Sequence, residues 1–469
     1  MHRKSVFTGG GCATVTQPSS AIQALAKAPL GRLIWSNFLP AFAGVVVNSL
    51  YNIVDRVFIG QTTGVLALAG LSAVFPVMLI QHAFAMLAGL GTGVRASLAL
   101  GQGRTNRARL LLGNGVVLAA ALGLAFTILA FLGRKTMLTL FGIGPEAYAY
   151  AEQYLDIVLL GSVFHLVGFT MTSAMRAEGH PQHSMYATFA SAFVNVILDA
   201  LFVLVFDWGV RGAALATVLA QASQLAYCCH FFSSSRCTIP IQKRYIRFSW
   251  RLTGQAVSIG LAPFAMQLAG SLTQGLYNIK LVEYGQDIAV GAMGIINSVS
   301  GLLVMTVVSL NMAAQPIYGY CKGAKLYQRL RKCLAICLAC ATILACLGAL
   351  LVQLAPKWLI WMFDSNTPEL LEIGAPAMRT FFMLFPLVGV QIVSGNYFQS
   401  VGQPALSTFL SLTRRLIFLV PLLMVLPPLL QLKGVWLCSP ISDLLSFFVC
   451  GIFLLRENKT LKQLGAQET

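Results

Sequence analysis

Apolar runs recur along the whole chain, separated by short loops that hold most of its charge. A hydrocarbon core about 30 Å thick takes about 20 helical residues to cross. By that measure the pattern predicts twelve helices, over residues 31–58, 65–99, 109–133, 147–175, 182–206, 212–233, 252–284, 288–320, 329–353, 370–400, 405–428 and 434–455. Several are longer than one crossing, which predicts tilt or projection beyond the bilayer. The expected class is an all-α polytopic membrane protein. Residues 1–29 are polar, rich in Gly, Ser and Thr, and have no apolar core of a cleavable signal. They read as a disordered cytoplasmic tail.

Loop charge sets the orientation. Arg3, Lys4 and Lys27 precede the first helix, and Arg104, Arg107 and Arg109 follow the second. The stretch 234–251 carries Arg236, Lys243, Arg244, Arg247 and Arg251, and the loop after the eighth helix carries Lys322, Lys325, Arg329, Arg331 and Lys332. Arg456, Lys459 and Lys462 follow the last helix. All of these fall on one side. The other side is poorer in bases and holds acids such as Asp207, Asp287 and Asp364. Both termini are therefore expected in the cytoplasm, which an even number of crossings requires.

The chain also repeats. SLYNIVDRVFIG (49–60) is echoed by GLYNIKLVEYG (275–285), and MRAEGHP (175–181) by FQSVGQP (398–404). The offset is about 220–226 residues in each pair. With an even number of helices per half, this predicts a parallel repeat of two six-helix lobes, the architecture of alternating-access transporters. The expected division is an N-terminal lobe over 30–233, a cytoplasmic linker over 234–251, a C-terminal lobe over 252–456 and a tail over 457–469.

Composition narrows the chemistry. Of 469 residues 57% are hydrophobic and 10% charged, with a net charge of +17. Because the bases sit between apolar runs, lipid headgroups account for the charge and no nucleic-acid partner is expected. The eleven cysteines lie largely in apolar runs and read as packing residues, so neither disulfides nor a metal cluster is expected. His180 and His183, flanking Pro181, likewise read as turn residues. No Walker motif, nucleophile elbow or HExxH occurs, so no enzyme and no nucleotide cofactor is expected.

Acids inside apolar helices are the informative exceptions, since each costs about 2.5–3.5 kcal/mol to insert. Asp199 lies in the outer half of the fifth helix, with Asn195 four residues before it on the same face. Thr217 lies about one turn into the sixth helix, and Asp55 near the outer end of the first. Two carboxylates, an amide and a hydroxyl at one depth suit a proton site, because burial and mutual repulsion favour neutralising an acid with H⁺. They equally suit Na⁺ held by oxygen ligands at Asp55, Asn195 and Asp199. In the repeat Asp55 corresponds to Leu281, and Asp199 falls near Pro421. The second lobe keeps the scaffold without these acids, as ion coupling confined to one lobe would require.

Weaker candidates for a substrate cavity are Gln81, Gln221, Gln267, Ser271, Gln274, Asn396, Arg414 and Asp443. Gln267, Ser271 and Gln274 form a stripe on the seventh helix. Arg414 and Arg415 fall near the cytoplasmic start of the eleventh, where snorkelling accounts for them. Asp443 is a second-lobe candidate for cation contact.

Several stretches together carry a family resemblance. YNIVDRVFIG (51–60), AEGHP (177–181), NVILD (195–199), GVRGAALAT (209–217), AAQPIYGYCKGA (313–324) and NYFQSVGQP (396–404) resemble the multidrug and toxic compound extrusion (MATE) family, in its prokaryotic branch with an acidic cluster in the N-terminal lobe. The resemblance implies a two-lobed antiporter that exports cationic amphiphilic drugs against H⁺ or Na⁺. It implies a prokaryotic inner-membrane location, a lipid environment and a monomer, and coupling roles for Asp55, Asn195, Asp199 and Thr217. The sequence departs from the family pattern near Asn311–Ala314 and at Cys321. A flippase of the same superfamily, moving a lipid-linked glycan or other amphiphile, is the alternative.

Overall fold

The computed structural model describes residues 20–63, 65–140, 145–234, 237–362 and 368–467. The tail residues 1–19, Arg236, Asp364 and residues 468–469 lie outside the described residues, as do the side chains of Arg56, Lys243 and Asp287. Every regular element among the described residues is helical.

The first half comprises α2 (Leu30–Thr62), α3 (Val65–Gly101), α4 (Thr105–Leu140), α5 (Pro145–Leu160), α6 (Ser162–Ala177), α7 (Pro181–Asp199) and α8 (Gly209–Ser233), preceded by α1 (Ser20–Lys27). The second comprises α9 (Trp250–Gly323), α10 (Tyr327–Leu354), α11 (Pro356–Trp361), α12 (Pro368–Phe382), α13 (Phe385–Ser400), α14 (Pro404–Leu412) and α15 (Val420–Gly465).

The two halves share local detail. The fourth crossing of each, expected as one helix, is a bent pair: α5 and α6 meet at 50°, α12 and α13 at 48°. The next turn is also the same in both. Gly179 (φ 86°) and Gly402 (φ 82°) take the left-handed conformation that closes a helix C-terminus, and Pro181 and Pro404 begin the following helix. The helix after that turn widens to a π-helix in both halves, over Ala200–Val205 and Thr413–Leu419.

The seventh and eighth crossings, expected as separate helices, follow each other directly within α9, a helical run of 74 residues. Straight, it would be about 110 Å long. It cannot be straight, because both of its ends meet the same end of α3. A Cβ on Gly91 would fall 2.0 Å from the Ala256 carbonyl oxygen, and one on Gly101 would fall 2.2 Å from that of Tyr320. The run therefore doubles back between its apolar spans Trp250–Gly285 and Ile288–Gly323. α15 doubles back likewise at Gln431 (φ 52°, ψ −138°).

The lobes meet on the face that carries the basic loops. Backbones touch at Gly91–Ala256, Gly260–Leu87, Gly101–Tyr320 and Gly323–Leu98, where only a residue without a Cβ fits. Asn37 Nδ2 adds a hydrogen bond to the Ala313 carbonyl at 3.3 Å.

Three segments on this face take defined positions. Residues 20–29, read as part of a disordered tail, include α1, whose Ile22 packs in a first-lobe core and Leu25 in a second-lobe core. Apolar residues three apart give so short a helix one sticky side, and the lobe junction buries it. Arg329 holds its end by donating to the Leu25 and Ala28 carbonyls, the latter at 2.5 Å. The linker is held against the first lobe. The Thr238 N–H donates to Glu178 Oε2 at 2.9 Å, the Ser249 N–H to Asn114 Oδ1 at 2.7 Å, and α9 has already begun at Trp250. The tail from residue 457 continues α15 to Gly465, tied by Arg331 Nε donating to Asn458 Oδ1 at 2.8 Å and by buried Leu461.

Candidate functional site

α7 and α8 are antiparallel, and their register follows from Ser191 Oγ donating to the Ala220 carbonyl at 2.9 Å. One turn along α7 from Ser191 is Asn195, and the residue facing it one turn back along α8 is Thr217. A further turn brings Asp199 opposite the start of α8, where Gly212 packs on Phe202. The sequence spacing thus becomes a cluster only because the short loop between these helices folds them together.

All four expected coupling residues are buried: Asp55 is 7% exposed, Asn195 1%, Asp199 0% and Thr217 6%. The Asp55 carboxylate is close enough for its charge to act on Asp199. Among the described residues, nothing donates a hydrogen bond to either oxygen of Asp199 and neither amide atom of Asn195 is paired. Such orphaned groups are rare in protein interiors and costly. Asp199 is also the last α-helical residue before the π-helix Ala200–Val205. An open apolar groove of about 570 Å³ runs between α2 and α7, lined by Val47, Val54, Phe189, Ala190, Phe193 and Val196 among others. Val54 and Val196 are sequence neighbours of Asp55 and Asn195.

Gln81 is buried and Gln221 half-buried, each with an unpaired amide atom. Their surroundings include a pair the sequence reading passed over: His82 Nδ1 and His165 Nε2 lie 3.3 Å apart, with Phe169 edge-on to His82. No spacing rule links positions 82 and 165; only the packing of α3 on α6 does. His183 Nδ1 lies 3.0 Å from Tyr227 Oη, and His180, at the cap of α7, meets the His183 ring edge to face.

The second lobe differs. Asp443 is 1% exposed and bonded to Arg414 Nε at 2.5 Å. Gln391 Nε2 donates to the Asp443 carbonyl and Ser442 Oγ to that of Arg414, both at 2.6 Å. Arg414 and Arg415, expected to snorkel at the start of a helix, instead sit in the π-helix Thr413–Leu419, about 16 Å beyond Pro404. The charge of Asp443 is what holds Arg414 inward, and Asp443 is thereby compensated rather than open to a cation. Gln274 Nε2 donates to Asn278 Oδ1 at 3.2 Å, Ser271 is exposed, and Gln267 is half-buried. Asn396 Oδ1 accepts from Ser400 Oγ at 3.1 Å, so it is used within its own helix.

Comparisons with known proteins agree with this architecture. A sequence model of the MatE family matches residues 40–201 and again 264–425, two copies offset by 224 residues. The chain is 22% identical over 440 residues to the multidrug export protein MepA of Staphylococcus aureus, covering 93% of this chain and 96% of that one. An outward-facing multidrug resistance transporter of the MATE family superposes with a TM-score of 0.89 at 21% identity, over 95% of this chain and 100% of that chain. The MATE multidrug transporter DinF-BH, solved with a dye bound, superposes with a TM-score of 0.87 at 34% identity, over 94% of this chain and 98% of that chain. The doubled lobes, the doubled match and these relatives place the chain in one family: it belongs to the MatE family of integral membrane efflux transporters and is not an enzyme.

Proposed function

We propose that this protein exports cationic amphiphilic compounds in exchange for H⁺ or Na⁺ taken up at Asp199 and Asp55. The observation that carries the reading is Asp199, a fully buried carboxylate with no hydrogen bond to either oxygen among the described residues and a second acid's charge acting on it. An uncompensated charge there is costly. A proton or a Na⁺ relieves it, and either supplies free energy that differs between conformations. Coupling needs that difference and nothing more. Asn195 and Thr217 offer an amide and a hydroxyl oxygen that steady a protonated acid or complete a Na⁺ shell. The apolar groove between α2 and α7 suits the apolar body of a drug-sized amphiphile. Relatives named for multidrug export, one of them with a bound dye, support small-molecule drugs as cargo.

In this reading the lobes 30–233 and 252–456 rock about residues 234–251. The basic face and both termini are cytoplasmic, the membrane is a prokaryotic inner membrane, and the monomer in lipid is the working unit. Ion entry at Asp199 favours drug release outward; ion loss inward readies the site for the next drug. The test is efflux of a cationic dye from proteoliposomes, with pH and Na⁺ gradients imposed separately. One gradient should drive efflux in the native protein and fail with Asp199→Asn. Efflux indifferent to both gradients would overturn the proposal.

A further inference from the structure

The second lobe holds more positive charge than it neutralises. Arg414, Arg415 and Asp443 lie together, and the charges of both Arg414 and Asp443 act on Arg415. Asp443 is bonded to Arg414. Arg415 makes no hydrogen bond or ion pair among the described residues. Its guanidinium instead reaches α9 at Gly270, where a Cβ would fall 2.8 Å from Nη1. A side chain at position 270 would push that guanidinium aside, so the glycine gives it a window on the α9 surface.

The face of α9 beside that window is the one turned to the first lobe. Ala256, Gly260 and Phe264 touch Gly91, Leu87 and Phe84 of the first lobe, the two phenyl rings at 5.1 Å. Spacings of three and four carry the same helix side on to Gln267, Ser271 and Gln274. Beyond the junction, therefore, this polar stripe borders the cleft between the lobes, and Gly270 lies at its edge. A cation flanked by amide and hydroxyl groups is a site for an anion, and a guanidinium matches a carboxylate best because it donates through two parallel N–H groups.

We propose that Arg415, presented at Gly270 beside Gln267, Ser271 and Gln274, recognises the carboxylate of an amphiphilic substrate, so that the cleft accepts zwitterions with the cationic end toward the first lobe. This rests on the export reading for the cargo class and adds to it an opposite charge at the second lobe.

The test uses purified full-length protein and two probes differing in one group: the ethyl ester of a cationic rhodamine and its free acid. Binding is read by fluorescence polarisation. Arg415→Gln should weaken the free acid by about tenfold or more while the ester stays within about twofold. Retained ester binding also reports that the variant is folded. Should Arg415→Gln fail to fold, Arg415→Lys carries the same comparison, since it keeps the charge and loses the fork; a fall in the acid-to-ester affinity ratio is expected. An equal change for both dyes, or none for the acid, overturns the assignment of Arg415 alone. Failure of the native protein to bind even the ester overturns the export reading as well.

Discussion

Ser191 Oγ is bonded to the carbonyl of Ala220 at 2.9 Å, and that bond fixes a register that sets Asn195 level with Thr217 and Asp199 near the head of α8. The site is thus a property of two helices locked at one height. Its acid was visible in the chain, but its orphaned state was not.

Replacing Asp199 with Asn keeps the shape and removes a charge that nothing among the described residues pairs. Export should fall to background in a cell-based resistance assay. Thermal stability in detergent near neutral pH should hold or rise, because the uncompensated carboxylate at this position is gone. Loss of export accompanied by a lower melting temperature would assign Asp199 a structural role.

The closed junction depends on bare backbone. Gly260→Ala would put a methyl carbon 1.9 Å from the Leu87 carbonyl oxygen, so the lobes must part there. Position 256, one turn away and 2% exposed as Ala256, should become reachable. In Ala256→Cys, labelling by a water-soluble maleimide should be slow with Gly260 and accelerate on adding Gly260→Ala.

Glu178 lies in the turn after α6, fully buried, and accepts the N–H of Thr238 from the linker. Burial is the main cause that pushes its carboxyl up to about 8 from 4.5, against the pull of the linker N–H groups and Arg109. With the folded value raised, its contribution to stability is complete below about pH 4.5 and is lost as pH rises through about 8. Amide hydrogen exchange at Thr238, corrected for its intrinsic pH dependence, should show protection falling across that window. In Glu178→Gln, whose amide oxygen still accepts the bond, the decline should flatten.

The Arg414–Asp443 pair predicts non-additive effects. Arg414→Met leaves Asp443 buried without its partner and should destabilise by about 3–5 kcal/mol, toward the lower end because Arg415 is near. Adding Asp443→Leu should recover most of that loss. Chemical or thermal unfolding of the two singles and the double gives the coupling directly, and additive losses would contradict the pairing.

Helix number, apolar spans, basic face, internal repeat and the acids at positions 55 and 199 were all legible in the chain. They depend on local rules: a bilayer sets helix length, lysine and arginine set sidedness, and a buried carboxylate is conspicuous in an apolar run. The bends at Gly161 and Met383 and the π-helices were not legible, because apolar periodicity continues through each of them. Nor could spacing reveal that α1 bridges the lobes, that His82 meets His165, or that Gly270 admits Arg415. Those relations join residues far apart in sequence, and only the packing of one helix on another brings them within reach. The same holds for the charges. The sequence by itself placed Asp199 and Asp443 alike, as acids in apolar helices. The tertiary structure decided that Asp443 is compensated by an arginine whereas Asp199 has no hydrogen-bond or ion-pair partner among the described residues, because only packing brings Arg414 to the one and no base to the other.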